Sequence, residues 1–225
     1  MNKDMNNRLK SLYETYWENY KTHFINKVDA AFPYLIYVPE KYEKSSIKVM
    51  FCGQETQSWN SEEYGDPLNA TVESVMYRYN VFVNNDGYNS PYWNFQKRII
   101  NRNKNVGFIR NNIVKIGKLC DPGCDDTIDA MAREYFPVFK KELEILKPDL
   151  IIFLTGPNYD WRIRNTIGDF SLKHLGDPNE CYDELIFVDP TIPKSIRINH
   201  PRSLQQNSKY WPMIENIDKI IKKLS

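Results

Sequence analysis

The chain predicts a three-layer α/β/α sandwich with a mainly parallel central sheet and an extra N-terminal helix. Short apolar runs rich in Val, Ile and Phe close on glycine or asparagine, as at Gly53, Asn112 and Gly156. Between them lie helical-period stretches of a dozen residues or more. Strands alternating with such helices build a parallel sheet covered on both faces. Length agrees, since 225 residues suit one domain that buries about 70% of its unfolded surface.

Residues 4–28 place Leu9, Leu12, Tyr16, Tyr20, Phe24 and Val28 at three- and four-residue spacings. That spacing predicts one apolar face of a helix. The Pro-bearing stretch from Phe32 to Pro39 ends it, so residues 1–40 read as an N-terminal helical extension and 41–225 as the α/β domain. I-K-V-M-F-C-G at 47–53 predicts a buried strand, followed by the polar loop 54–65. Helices are expected at 67–83 and 92–103, parted by the turn cluster N-N-D-G-Y-N-S-P. V-G-F-I-R-N-N-I-V at 106–114 predicts a second strand ending in paired asparagines. From Asp125 to Lys147 the pattern is helical, with Asp125 or Asp126 as cap and a kink or break at Pro137. P-D-L-I-I-F-L-T-G at 148–156 predicts another buried strand. Further strands are expected at Glu184–Asp189 and Ile196–Asn199, and a closing helix at Lys209–Leu224.

Composition narrows the class. With 41% hydrophobic and 26% charged residues, the chain is not a disordered one. It holds no apolar run of membrane-spanning length, and M-N-K-D-M-N-N-R-L-K lacks an export signal's apolar core. The expectation is a cytoplasmic protein without membrane contact, a monomer, its thiols reduced. Of Cys52, Cys120, Cys124 and Cys181, only Cys120 and Cys124 are close, and no second pair completes a zinc or iron–sulfur set.

In open parallel sheets the ligand crevice lies beyond the carboxyl ends of the strands. That directs attention to Gly53–Asn60, Asn111–Lys115, Thr155–Asp160 and Asn199–Leu204. Net charge is +1, so any nucleic-acid surface depends on local clustering. From Lys97 to Lys118 the chain carries Lys97, Arg98, Arg102, Lys104, Arg110 and Lys115 with no acid between. Lys194, Arg197, Arg202 and Lys209 form a second basic group around His200. The two groups read either as flanks of a phosphate-tracking groove or as solvated faces.

Four of these segments together resemble the uracil-DNA glycosylase superfamily. G-Q-E-T-Q-S-W at 53–59 is similar to its first motif, G-Q-D-P-Y-H, and N-N-I-V-K at 111–115 to its N-V-V-K. The strand at 148–155, preceded by L-K, resembles the intervening I-K-P-x-x-I-V-x-L. N-H-P-R-S-L at 199–204 resembles the closing H-P-S-P-L. The chain departs from the pattern at Glu55, at Thr56 in place of Pro, and at Gln57 where a branch has a thymine-excluding Tyr. Ile116 stands where the iron–sulfur branch has Cys.

The resemblance implies hydrolysis of the N-glycosidic bond of uracil or another deaminated or damaged base in DNA, without a cofactor or metal. Such cleavage builds positive charge on the sugar and negative charge on the leaving base. By resemblance, Glu55 stabilises the sugar cation and orients a water, while His200 donates to the base. Gly53, Gln54, Gln57 and Asn112 then contact the base, Asn112 offering donor and acceptor together. Lys115, Arg202, Ser203 and Leu204 are the implied DNA contacts, with Leu204 as a wedge filling the vacated stack. Trp59 or the Tyr92–Trp93 pair is a candidate stacking platform or part of the core. The second function class is a non-catalytic module binding a nucleotide or single-stranded nucleic acid, which Glu55, Thr56 and Gln57 favour. A third, a metal-dependent nuclease, has only Pro148–Asp149 in its support and lacks a following E-x-K.

Overall fold

The structure, a computed structural model, describes residues 2–56, 59, 67–84, 87–119, 123 and 125–224. The chain runs α1 (Asn2–His23), α2 (Glu40–Lys44), β1 (Lys48–Gly53), a 3-10 turn at Pro67–Asn69, α3 (Val72–Asn84) and α4 (Pro91–Arg102). It continues through β2 (Gly107–Asn112), α5 (Asp126–Tyr135), α6 (Phe139–Leu146) and β3 (Leu150–Phe153). After a 3-10 turn at Pro157–Tyr159 come α7 (Asp160–Thr166), β4 (Phe170–His174), β5 (Tyr182–Phe187), β6 (Lys194–Ile198), α8 (Pro201–Gln206) and α9 (Tyr210–Lys222).

The six-stranded sheet has the order β2-β1-β3-β6-β5-β4. β2, β1, β3 and β6 are mutually parallel, and β5 and β4 extend the sheet as an antiparallel hairpin. Period-two alternation sends Met50, Cys52, Ile151 and Phe153 into a core shared with α1, α3, α5 and α6. Val49, Phe51, Ile152, Leu154, Ile196 and Ile198 face the opposite core, under α4, α8 and α9. The expected α/β/α layering is present.

Local chemistry accounts for most boundaries. Asp125 caps α5, its carboxylate accepting from Thr127 N and Ile128 N. Pro137 separates α5 from α6, so the expected long helix is two. Ser90 caps α4 with Pro91 at the first helical position. α1 stops at His23, short of the expected 28, and Asn26 just beyond it is in the left-handed region at φ 58°. Its inward face is also rotated: Tyr13 and Trp17 are buried, whereas Leu12 and Tyr16 are only partly covered. β4 was not expected. Only its Phe170 is buried, so the strand has no alternation to read.

Residues 1–40 do more than extend the domain, because α1 packs into the same core as β1 and β3. A buried polar network fastens it there. Lys115 and Glu142, with side chains 4% and 0% exposed, pair at 2.7 Å. Glu142 also accepts from the Tyr13 hydroxyl at 2.7 Å and from Asn111 Nδ2 at 2.9 Å. Lys115 Nζ donates to Asn111 Oδ1 at 2.8 Å, and the Tyr13 oxygen accepts from Ile36 N at 3.1 Å. Burial holds the Lys115 ammonium below its ordinary pKa, with Glu142 opposing that shift.

Removing one member leaves the other charge buried and unpaired, whereas removing both does not. Lys115→Met is therefore expected to lower unfolding free energy by about 3–5 kcal/mol. Lys115→Met combined with Glu142→Met should lose much less. Urea unfolding of the two variants checks this, and a single variant as stable as the parent would contradict it.

Candidate functional site

The chain passes from β1 out to β2 and returns across β1 to β3, so the sheet order reverses between β1 and β3. Such reversals open a crevice at the carboxyl edge of the strands. Gln54 Nε2 bridges the two strand ends here, donating to the Thr155 carbonyl at 2.8 Å. Ile113 N and Val114 N reach the Gly53 and Gln54 carbonyls at 3.0 Å each, tying the end of β2 to the same edge. Gly156 turns the chain after β3 at φ 72°, a conformation that favours glycine, and its N–H meets the Ile198 carbonyl at 2.9 Å.

On the α4–α8 side of that edge stands His200, half-buried, as the cap of α8. Its Nδ1 accepts from Arg202 N at 3.3 Å, which leaves the ring proton on Nε2. Tyr92 from the first turn of α4 stacks on the imidazole, with centroids 5.6 Å apart and planes 9° from parallel. Burial, then the Arg202 charge, holds the His200 pKa below its usual value. The neutral ring thus offers one N–H. Gly53 lies against Tyr92, and a methyl group there would run into the Tyr92 hydroxyl and the Asn112 amide.

Glu55 occupies the other side of the edge, with α5 and α7. Tyr159, delivered by the 3-10 turn after Gly156, donates its hydroxyl to Glu55 Oε2. Burial raises the Glu55 pKa; the Tyr159 hydrogen bond and the Arg162 charge oppose that rise. Arg162 in turn lies 4.9 Å over the Tyr159 ring and pairs with Asp126 and Asp129. The carboxylate and the imidazole thus stand at the same carboxyl edge, on opposite faces of the sheet.

Several expected contacts lie elsewhere. Lys115 is enclosed in the Glu142 network, so a phosphate in the crevice does not meet its ammonium. Leu204 is 2% exposed and packs in the core with Ile198, Tyr210 and Met213, which rules it out as an exposed wedge. Asn112 is buried, and with its amide turned to suit its neighbours it donates to the Asn111 carbonyl at 2.9 Å and accepts from Thr56 N at 3.2 Å. It braces the loop after β1 and presents no free recognition edge. The Gln54 side chain is likewise spent on Thr155. Arg202 is exposed and Ser203 half-buried, both in the first turn of α8. Gln57, Cys120 and Cys124 lie outside the described residues.

The basic groups are partly spent as well. Arg110 is buried, bonded to Gln96 Oε1 at 2.9 Å. Arg197 pairs with Asp160 and Asp183, and Lys209 with Glu180 at 2.5 Å. α4 runs away from the crevice toward the start of β2, which carries Arg102 and Lys104 to the far edge. Trp59 and Trp93 are core aromatics, with Arg78 and Arg110 over their rings. Of the aromatic candidates, Tyr92 is the one that reaches the site. Tyr159 and Arg162 were missed as site members. The sequence signal was the polar cluster Thr155–Asp160 at a strand end, which marks a place without assigning a role.

Two outcomes follow from these placements. Leu204→Ala should cost about 2–5 kcal/mol of stability, as for other buried leucines, measured by denaturant unfolding. Nitrogen-detected NMR should find His200 as the Nε2–H tautomer, titrating below 6.5. A depressed folded-state pKa adds stability that is present above the unfolded value and lost as pH falls through the folded one. An imidazolium persisting above pH 6.5 would contradict the assignment.

Neither protein-family models nor curated proteins yield a match to this chain.

Proposed function

We propose that the protein hydrolyses the N-glycosidic bond of uracil or another deaminated or damaged base in DNA. The observation carrying this reading is His200, a neutral imidazole with Nδ1 capped by Arg202 N, stacked on Tyr92 at the carboxyl edge of the sheet. A leaving base acquires negative charge on its carbonyl oxygen, and a preoriented N–H donor stabilises that charge best in a partly dehydrated site. His200 Nε2–H supplies the donor without moving a proton onto or off the ring.

Glu55 supplies the complementary charge. Ionised, it stabilises the sugar cation and orients the attacking water, while the Tyr159 hydroxyl on Oε2 fixes the carboxylate plane. Gly53, having no side chain, lets the Tyr92 hydroxyl and the Asn112 amide close on the strand end, which seats the ring that stacks on His200. Arg202 at the start of α8 is the exposed cation nearest His200 in the chain and is suited to a flanking phosphate.

A second reading, a module that binds a nucleotide or single-stranded nucleic acid without chemistry, is favoured by one observation. The Glu55 carboxylate is engaged by Tyr159 on the α5–α7 side, while His200 stands on the other. Incubation with oligonucleotides carrying uracil, hypoxanthine or xanthine, followed by alkaline cleavage at abasic sites, separates the two. Cleavage supports hydrolysis; binding without cleavage supports the module.

If cleavage occurs, His200→Ala should reduce it by roughly 10²–10³-fold, the cost of one lost oxyanion-type donor, with little change in stability. The rate requires ionised Glu55, whose pKa is raised above 4.5. Activity should accordingly rise with pH through a midpoint above that value. Tyr159→Phe removes a bond favouring the ionised form, so the midpoint should move higher still. A midpoint that moves down, or not at all, would remove Glu55 from the rate-determining step.

A further inference from the structure

A recess of about 430 Å³ opens between the start of α4 and the turn joining α8 to α9. Asn89, Asn94 and Arg98 line one wall; Gln205, Ser208 and Trp211 line the other. Three features distinguish it from an ordinary surface dent. Trp211 is 50% exposed, unusual for the residue type that gains most from burial. The Arg98 guanidinium lies 4.3 Å from the Trp211 ring centroid and bonds the Tyr210 hydroxyl, which fixes one end of a group that carries five donors. The rest of the rim is amide and hydroxyl, able to donate or accept.

Position supplies the other half of the argument. Both walls are continuous with the His200 site. Tyr92, which stacks on His200, follows directly on Pro91 of the recess wall. His200 caps α8, and Gln205 near the end of that helix lies about 7.5 Å of helix rise away. The recess therefore lies on the order of one nucleotide from the imidazole, on the same face of the sheet. Arg98 belongs to the acid-free stretch from Lys97 to Lys118, whose Arg110 and Lys115 are buried.

We propose that this recess binds the nucleotide next to the one held in the crevice, as part of an unpaired nucleic-acid strand. The base stacks on the open side of Trp211, and Arg98 donates to the adjoining phosphate. Stacking on an indole needs a base whose face is free, which a paired duplex does not offer. The amide and hydroxyl rim follows sugar and base edges without reading one sequence. The inference rests on the crevice reading for its location, but it requires binding alone and no bond cleavage.

The test measures binding of a labelled, undamaged single-stranded oligonucleotide by fluorescence anisotropy across a salt series. Trp211→Ala should weaken binding roughly 5- to 150-fold, the range for loss of one stacked base, and Trp211→Phe should restore part of it. Arg98→Gln should weaken binding and flatten the log–log salt slope by about 0.7, the value for one phosphate contact on a single strand. The same sequence as a duplex should bind more weakly and show little response to either variant. Unchanged affinity in both Trp211→Ala and Arg98→Gln, equal effects on the duplex, or competition by a mononucleotide as effective as the strand would overturn the inference. Thermal unfolding of each variant identifies loss caused by misfolding, and Arg98→Gln, an exposed change, keeps the question open to decision if Trp211→Ala does not fold. Base release from a uracil-containing strand is scored separately. Release that ignores both residues overturns this subsite and keeps the crevice reading. Binding that depends on both residues, without release, keeps the subsite and removes hydrolysis.

Discussion

A lysine sealed at the carboxyl end of β2 holds one helical layer of this protein in register with the sheet. Lys115 and Glu142 are both nearly inaccessible, and each needs the other to be tolerated there. Glu142 stands on α6, Lys115 just beyond β2, and Tyr13 on α1, so one carboxylate fixes two helices against a strand end. The same network reaches the crevice. Asn111 Oδ1 accepts from both Lys115 Nζ and Asn112 N at 2.8 Å, and the Asn112 amide accepts from Thr56 N. The N-terminal helix is thereby coupled through four side chains to the loop that follows β1. Low dielectric makes such a network costly to half-satisfy, which gives it directional control that apolar packing lacks.

The crevice draws opposite chemistries from the two faces of the sheet. His200 follows Ile198 by two residues and shares its face of the sheet, whereas Glu55 lies beyond the end of β1, where Tyr159 holds it on the α5–α7 side. His200 is kept neutral because its Nδ1 is occupied by Arg202 N and its surroundings are partly dry. Glu55 is held by a phenol rather than a cation, so burial dominates and its proton affinity rises. A neutral donor and a tunable carboxylate at one edge suit a reaction or a ligand in which charge separates along a single bond.

Much of the α/β pattern was legible because burial writes itself into periodicity. I-K-V-M-F-C-G and P-D-L-I-I-F-L-T-G are buried on both faces, so their strands read as continuous apolar runs. The break at Pro137 and the Asp125 cap are local and were readable for that reason. β4 was not, since it is an edge strand with one buried residue. Short α7 and α8 lack enough turns for a helical period, and they orient Tyr159, Arg162 and Arg202 around the crevice. Among the site candidates, the sequence marked the strand ends correctly as the place where polar residues gather. It could not tell Leu204 in the core from Leu204 at the surface, because one leucine beside polar neighbours is compatible with both.

By itself, then, the sequence determined the layering, the run of strands and helices, and the edge at which polar side chains meet, since these follow from hydrophobic period and local turn chemistry. The tertiary structure alone decided which charges remain available. Lys115, Arg110 and Arg197 are cations in any reading of the chain, yet partners 27, 14 and 37 positions away in sequence consume them. It also decided that Tyr92 meets His200 and that Tyr159 meets Glu55. Those pairings depend on strand order and on the faces of separate helices, and long-range contact of this kind leaves no periodic trace in a single chain.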